Sequence, residues 1–474
     1  MKAPIENFYE WVNKTPDAPF LRQPYGDTWK EYSYREAFEE AASVAASMHE
    51  RGLKKGDHVA ILSRNCCHWI LADIAIMMAG MVSVPLYPTL PPEQIRDILT
   101  HADVKALFAG KLEKWDNASL PQGVQLYNFP QYAGCAVIEA GVSWDALKGS
   151  SSSTLTPHIP ALDELWTILY TSGTTGKPKG VMHSYRCPAT IFDLEMRYGT
   201  MGMARLGQYR FFSFLPLNHV AERIAIEMNG MVMGGSISFA ENIDTFIQNI
   251  VSVQPTFFFA VPRIWMKFQS GVLEKAGENK LNMLLSLPIV GSLIRKRIRQ
   301  ALGLSSANIT LTGAAITPQP VKEWFRRLGI QLREVYGMTE ACGPVSLTPF
   351  GGWSTGDVGC ALPGTDVRVD EGSGEIIFKS PHLMSGYYKD SAATNDMMRD
   401  GWIYSGDRGR MDDHGNLFVL GRIKDVFKTI KYGTPNGMPE HASKLNPIQL
   451  QQVSSFVLTL PFTAGKEPEG KEYK

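Results

Sequence analysis

Residues 170–181 read YTSGTTGKPKGV, and the architecture can be worked out from what surrounds them. Three glycines, four aliphatic hydroxyls and two lysines follow directly on an apolar strand end at 167–169. That composition suits a phosphate cradle. Gly173, Gly176 and Gly180 let the backbone approach an anion closely. The hydroxyls of Thr171, Ser172, Thr174 and Thr175 can donate to its oxygens, and Lys177 and Lys179 add positive charge. A Walker A loop needs Ser or Thr directly after its Gly-Lys pair, whereas Pro178 follows Lys177, so a P-loop kinase or ATPase is disfavoured.

Upstream, Ser33 and Glu36 form a capping box. Phe38, Ala41, Val44, Ala45 and Met48 follow as a helical apolar stripe, with Gly52 past its end. HVAILS (58–63), an apolar helix, VSVPLY (82–87), a helix over 92–101 and VKALFAG (104–110) then alternate as βαβαβ, the pattern of a parallel sheet wrapped by helices. The apolar run 69–87 is long enough to raise a membrane span, but Asp73 and Pro85 interrupt it, and a buried helix followed by a strand is expected instead. GSSSSTLT (149–156) is a linker ahead of the strand ELWTILY. Downstream, FFSFLPL, a helix over 221–233, TFFFAVP and ITLTGAAI continue the α/β pattern. Between 359 and 420, short strands with Gly and Asp turns, such as GEIIFKS and GNLFVLG, signal a small antiparallel unit. The expected fold class is therefore α/β: two α/β subdomains, roughly 1–155 and 156–350, plus a small antiparallel β subdomain at 351–425.

With 474 residues the chain exceeds what a single core supports. Its 47 basic and 47 acidic side chains cancel, which argues against nucleic acid as a partner. The six cysteines show no CxxC pair and no zinc spacing, pointing to a reducing, cytoplasmic setting. The opening MKAPIENFYEWV places acidic and aromatic residues where a signal peptide would be apolar. Peripheral contact with the inner face of the membrane stays open, and no basic amphipathic helix is evident to announce it.

YTSGTTGKPKG resembles the phosphate loop of the adenylate-forming superfamily. The family's other motifs recur in order: LPLNHVAER (215–223), PTFFFAVPRIW (255–265), LTGAAITP (311–318), YGMTE (336–340), YSGD (404–407) and GRIKDVFK (421–428). HVAER with AVPRIW is similar to the long-chain fatty-acid CoA ligase branch. The resemblance implies an adenylation lobe over residues 1–425. It also implies ATP, Mg2+ and coenzyme A as cofactors, and a fatty acid activated through acyl-AMP to acyl-CoA. By the same resemblance Tyr336 stacks on adenine, with Gly337 beside it in the motif, and Thr339 touches the α-phosphate. Glu340 binds magnesium together with Thr171, and Lys179 joins them in catalysis. Asp407 accepts the ribose hydroxyls, and Arg422, Lys424 and Lys428 of the GRIKDVFK motif lie on the nucleotide side. His219 lines the carboxylate end of the acyl site, and Gly313 and Ala314 floor the pocket.

The sequence departs from the family after Asp425, the family's hinge position, where 49 residues do not accommodate the usual mobile C-terminal lobe with its lysine. The expected activity is impaired accordingly. The alternatives are a remnant that binds ATP and fatty acid without turnover, or a ligase that hands its acyl-AMP to another protein. The 431–460 segment resembles the end of a c-type cytochrome domain, with Met438 at its haem-ligating position. With no CxxCH, however, no haem is expected. Within the tail at 426–474, Leu450, Val453, Phe456, Val457 and Leu460 make one amphipathic helical stripe, followed by a Pro- and Glu-rich end.

Overall fold

The computed structural model describes residues 1–150, 155–171, 178–352 and 354–423. The helix after Ser33 runs Tyr34–Glu50 and is closed reciprocally: the Glu36 amide donates to Ser33 Oγ at 3.2 Å and the Ser33 amide to Glu36 Oε2 at 2.8 Å. The strands His58–Ser63, Val82–Leu86 and Val104–Gly110 lie parallel, joined by the helices Cys67–Met78 and Pro92–His101. Leu165–Thr171 extends this sheet in parallel and Lys179–Ser184 turns back against it. Gln125–Asn128, Val142–Ser143 and Gly386–Tyr387 bring the sheet to eight strands. Strand pairing thus crosses residue 155, and the hydrogen-bonded units are not consecutive stretches of chain.

A second sheet places Phe257–Ala260, Ile309–Gly313 and Leu332–Met338 in parallel, with Gly343–Leu347 and Cys360–Ala361 antiparallel at one side. A third pairs Pro19–Tyr25 and Thr28–Ser33 with Arg210–Ser213 and Ser236–Phe239, elements about two hundred residues away in sequence. Every residue of Cys67–Met78 is buried, in a cluster that also takes in Phe20, Phe211, Phe257 and Leu311 from the other two sheets. A helix apolar all round needs cover on every side, and three sheets' side chains supply it. No helix among the described residues is long and apolar enough to cross a membrane. The stretch Asp366–Arg422 carries the antiparallel sheet expected there, with its longest strand, Trp402–Met411, at the centre.

The helix expected over 221–233 is not uniform. It opens as Val220–Glu222, widens to a π-helix over Arg223–Met228 and closes as Asn229–Met233. The wide turn accompanies a buried ion cluster: Arg223 Nε meets Glu227 Oε2 at 3.0 Å, and Nη2 meets Asp73, all three residues being fully buried. Asp73, the charge that interrupts the apolar run, is therefore a core residue with an arginine partner.

Candidate active site at the strand ends

Thr171 ends its strand directly opposite Lys179 on the returning strand. Between them Ser172, Gly173, Thr174, Thr175, Gly176 and Lys177 lie outside the described residues, as do Lys424, Lys428 and the whole tail from 426. Lys179 Nζ stands 4.9 Å from the centroid of the Tyr387 ring, and the Tyr387 hydroxyl donates to Glu340 Oε1 at 2.7 Å. Tyr387 thereby brings the Thr171–Lys179 pair and Glu340 together. Burial, reinforced by Glu340, holds the Tyr387 phenol far above its ordinary range, so it stays a donor.

The turn Thr339–Ala341 that carries Glu340 is clamped at both ends. His183 Nε2 donates to the Thr339 carbonyl at 2.8 Å and His382 Nδ1 to the Ala341 carbonyl at 2.8 Å. The chain then doubles back so closely that a Cβ on Gly337 would lie 1.9 Å from the Gly343 oxygen, so only glycine fits there.

At the other end of the same motif the Tyr336 hydroxyl donates to Asp407 Oδ2 at 2.8 Å, and Arg422 Nε meets Asp407 Oδ1 at 2.9 Å. Asp407 and Arg422 face each other across neighbouring antiparallel strands. Burial raises the Asp407 carboxyl above its usual range against the opposing pull of Arg422 and Tyr336.

His219, Ala314 and Gly337 line a cavity of about 100 Å3, walled by Ile224, Phe259 and Leu311. Burial lowers the His219 pKa, which keeps the imidazole neutral. Its Nδ1 accepts from the Ala221 amide at 3.2 Å, so the ring proton sits on Nε2. Gly313 ends its strand with no room for a side chain: a Cβ would meet the Val335 oxygen at 2.6 Å. Ala314 follows in the left-handed region at φ 62°, a conformation that costs a non-glycine residue about 1 kcal/mol.

Among the described residues no three metal-ligating side chains cluster. The Glu340 carboxylate and the Thr171 hydroxyl are hard oxygen ligands. So sparse a set suits magnesium, which keeps waters and is completed by substrate phosphates. Sequence reasoning missed Tyr387, His183 and His382, whose roles depend on contacts across 47, 156 and 41 residues. It also left the charges of HVAER unread. Glu222 Oε1 accepts from Ser213 Oγ at 2.8 Å and from the Phe214 amide at 3.0 Å, pinning the strand end beneath His219, and Arg223 belongs to the core.

The chain is 28% identical to long chain acyl-CoA synthetase 2 of Arabidopsis thaliana over 486 aligned positions, covering 90% of this chain and 72% of that protein. It is 27% identical to a long-chain-fatty-acid CoA ligase of Mycobacterium bovis, covering 89% and 74%. Among solved structures, o-succinylbenzoate CoA synthetase from Bacillus subtilis with its acyl-adenylate superposes at a TM-score of 0.71 and 21% identity, covering 90% of this chain and 79% of that one. The N-terminal domain of FACL13 from Mycobacterium tuberculosis superposes at 0.66 and 23% identity, covering 89% of this chain and all of that one. Both structures share the fold. The family model for AMP-binding enzymes matches residues 8–388, the stretch that holds Thr171, Lys179, His219, Tyr336, Glu340 and Tyr387, and the chain belongs to that family.

Proposed function

We propose that this chain activates a long-chain fatty acid with ATP, first to acyl-AMP and then, with coenzyme A, to acyl-CoA. The observation that carries the reading is the single motif from Tyr336 to Glu340. One end is bonded to Asp407 and the other, through Tyr387, reaches Lys179. On this reading a nucleoside site at the end of the strand Leu332–Met338 and a phosphate site on the clamped turn Thr339–Ala341 belong to one motif.

A carboxylate oxygen of the acid attacks the α-phosphorus of ATP. The new oxygen–phosphorus bond forms as the bond to the β-phosphate breaks, and pyrophosphate leaves with the electron pair. No protein nucleophile is needed, so the chain's work is positioning and charge neutralisation. Tyr336 offers its ring to adenine. Asp407 accepts the ribose hydroxyls as the half-exposed Arg422 gives way. Thr339 and Lys179 are assigned to the phosphates on this reading, and the motif residues Ser172 to Lys177, Lys424 and Lys428 are assigned with them by resemblance alone. Glu340 and Thr171 would hold Mg2+, which would supply charge neutralisation for the phosphates. The neutral His219 offers Nε2–H to the acid's carboxylate at the cavity that Ala314 lines, with Gly313 one residue before it at the strand end. The cavity of about 100 Å3 has room for the head of a fatty acid. The setting attached to this reading is cytoplasmic, with peripheral contact at the inner face of the membrane; all six cysteines are free thiols.

Mass spectrometry of the purified chain with palmitate, ATP and Mg2+, with and without coenzyme A, tests the proposal. Palmitoyl-AMP without coenzyme A and palmitoyl-CoA with it are expected. Adenylate that persists in the presence of coenzyme A would reduce the activity to the first half-reaction. ATP bound with no adenylate would overturn the proposal in favour of a binding protein.

A further inference from the structure

Beyond the site, three consecutive helices, Pro262–Ala276, Glu278–Ser286 and Pro288–Ala301, pack on the second sheet. The last two form a tight hairpin whose inner face is accounted for. Leu281 and Leu285 are buried in the core cluster, with Ile294 and Ile298 packed half-buried against it. Gly291 lets the helices close up, since a Cβ there would meet the Leu285 oxygen at 2.6 Å. A second apolar face is left over. Met283, Leu287, Ile289, Val290 and Leu293 are 59%, 44%, 79%, 39% and 60% exposed, a concentration of large apolar side chains within eleven residues that core packing does not explain.

Charge sets this face apart from the rest of a neutral chain. From 279 to 322 there is no Asp or Glu, while Lys280, Arg295, Lys296, Arg297 and Arg299 fall within the hairpin. Lys280, Lys296 and Arg297 are exposed, and Arg295 also donates to the Leu285 carbonyl at 3.3 Å. The basic amphipathic helix that the sequence did not announce is therefore Pro288–Ala301. A cation-flanked apolar tip matches an anionic bilayer surface, where apolar side chains enter the headgroup boundary and Lys and Arg meet phosphates. A second copy fits poorly, because a two-fold contact would set the same cations against one another. Nucleic acid would engage the cations and leave the apolar tip in water.

We infer that the hairpin 278–301 is a membrane-docking surface selective for anionic lipid. This deepens the fatty-acid reading, since a long-chain acid is met in a bilayer. None of its residues is among those assigned to adenylation, so its failure and that of catalysis are read separately.

The test is sedimentation of the full chain with vesicles of phosphatidylcholine alone and with phosphatidylglycerol added. Binding is expected to the anionic vesicles, weakening as salt rises. Lys296→Ala with Arg297→Ala should weaken it roughly thirtyfold, at about fivefold per cation. Ile289→Ser with Leu293→Ser should weaken it at least as much, while thermal unfolding and pyrophosphate exchange with a water-soluble octanoate stay unchanged. Equal binding to both vesicle types, or binding that neither pair of substitutions weakens, would overturn the inference. So would concentration-dependent dimerisation abolished by Ile289→Ser without any vesicle binding.

Discussion

Asp73 and Asp407 each pair with an arginine, and the difference between their surroundings separates framework from site. Asp73 is closed on every side. It takes Arg223 and the Ser83 hydroxyl, while Arg223 also holds Glu227, donates to Thr167 Oγ1 at 2.8 Å and lies 4.3 Å from the Trp166 ring. Asp407 has one partner, Arg422, whose side chain is 55% exposed, and another, Tyr336, that is itself part of the proposed nucleotide platform. A charge enclosed by protein serves stability, whereas a charge whose partner can withdraw into solvent is available to a ligand.

The sharpest way to break that contrast is Arg223→Met. It leaves the buried Asp73 carboxylate without its counter-charge and Glu227 without its Nε donor, and should cost about 3–5 kcal/mol in urea unfolding. A loss below about 1 kcal/mol would mean the cluster is not holding the core. Glu340→Gln sits on the other side of the comparison. Tyr387 still donates to the amide oxygen, so stability should hold while adenylate formation falls about 10²- to 10³-fold, the usual scale for one preorganised electrostatic group. Asp407→Asn should weaken ATP binding about tenfold to a hundredfold in calorimetric titration, because a charged acceptor becomes neutral while the Tyr336 bond survives. A pH dependence concerns Glu222, whose carboxyl burial raises to about 8. Between about 4.5 and 8 the folded state keeps a proton that the unfolded chain loses, so stability falls as pH rises, by up to about 1.4 kcal/mol per pH unit. Glu222→Gln should remove that slope from denaturation curves taken across this range, and an unchanged slope would mean the proton is held elsewhere.

What the sequence made legible is what is local. The capping box at Ser33, the βαβαβ alternation from 58 to 110 and the antiparallel strands after 359 depend on neighbours in the chain, and each forms where patterning places it. The third sheet was illegible because Pro19–Tyr25 pairs with Ser236–Phe239, and no period or turn signal encodes such a partner. The π-helix escaped because Asp73, the partner of Arg223 within it, lies 150 residues upstream. The site divides in the same way. Motif residues such as Tyr336 and Glu340 were visible as side-chain types suited to nucleotide and metal. Tyr387, which links Lys179 to Glu340, became visible only once its ring and hydroxyl had positions. Exposure was equally hidden: that the second apolar face of Pro288–Ala301 is uncovered shows only in the structure.

The proposed function rests on the Tyr336–Glu340 motif, whose end is the clamped turn Thr339–Ala341, coupling a nucleotide site to an acyl site. Fatty-acid-dependent exchange of labelled pyrophosphate into ATP by the purified chain, across acids from acetate to stearate, tests it most directly. The account predicts exchange that rises with chain length and is lost in Glu340→Gln while ATP binding remains measurable. No exchange with any acid, alongside ATP binding in a correctly folded chain, would contradict it.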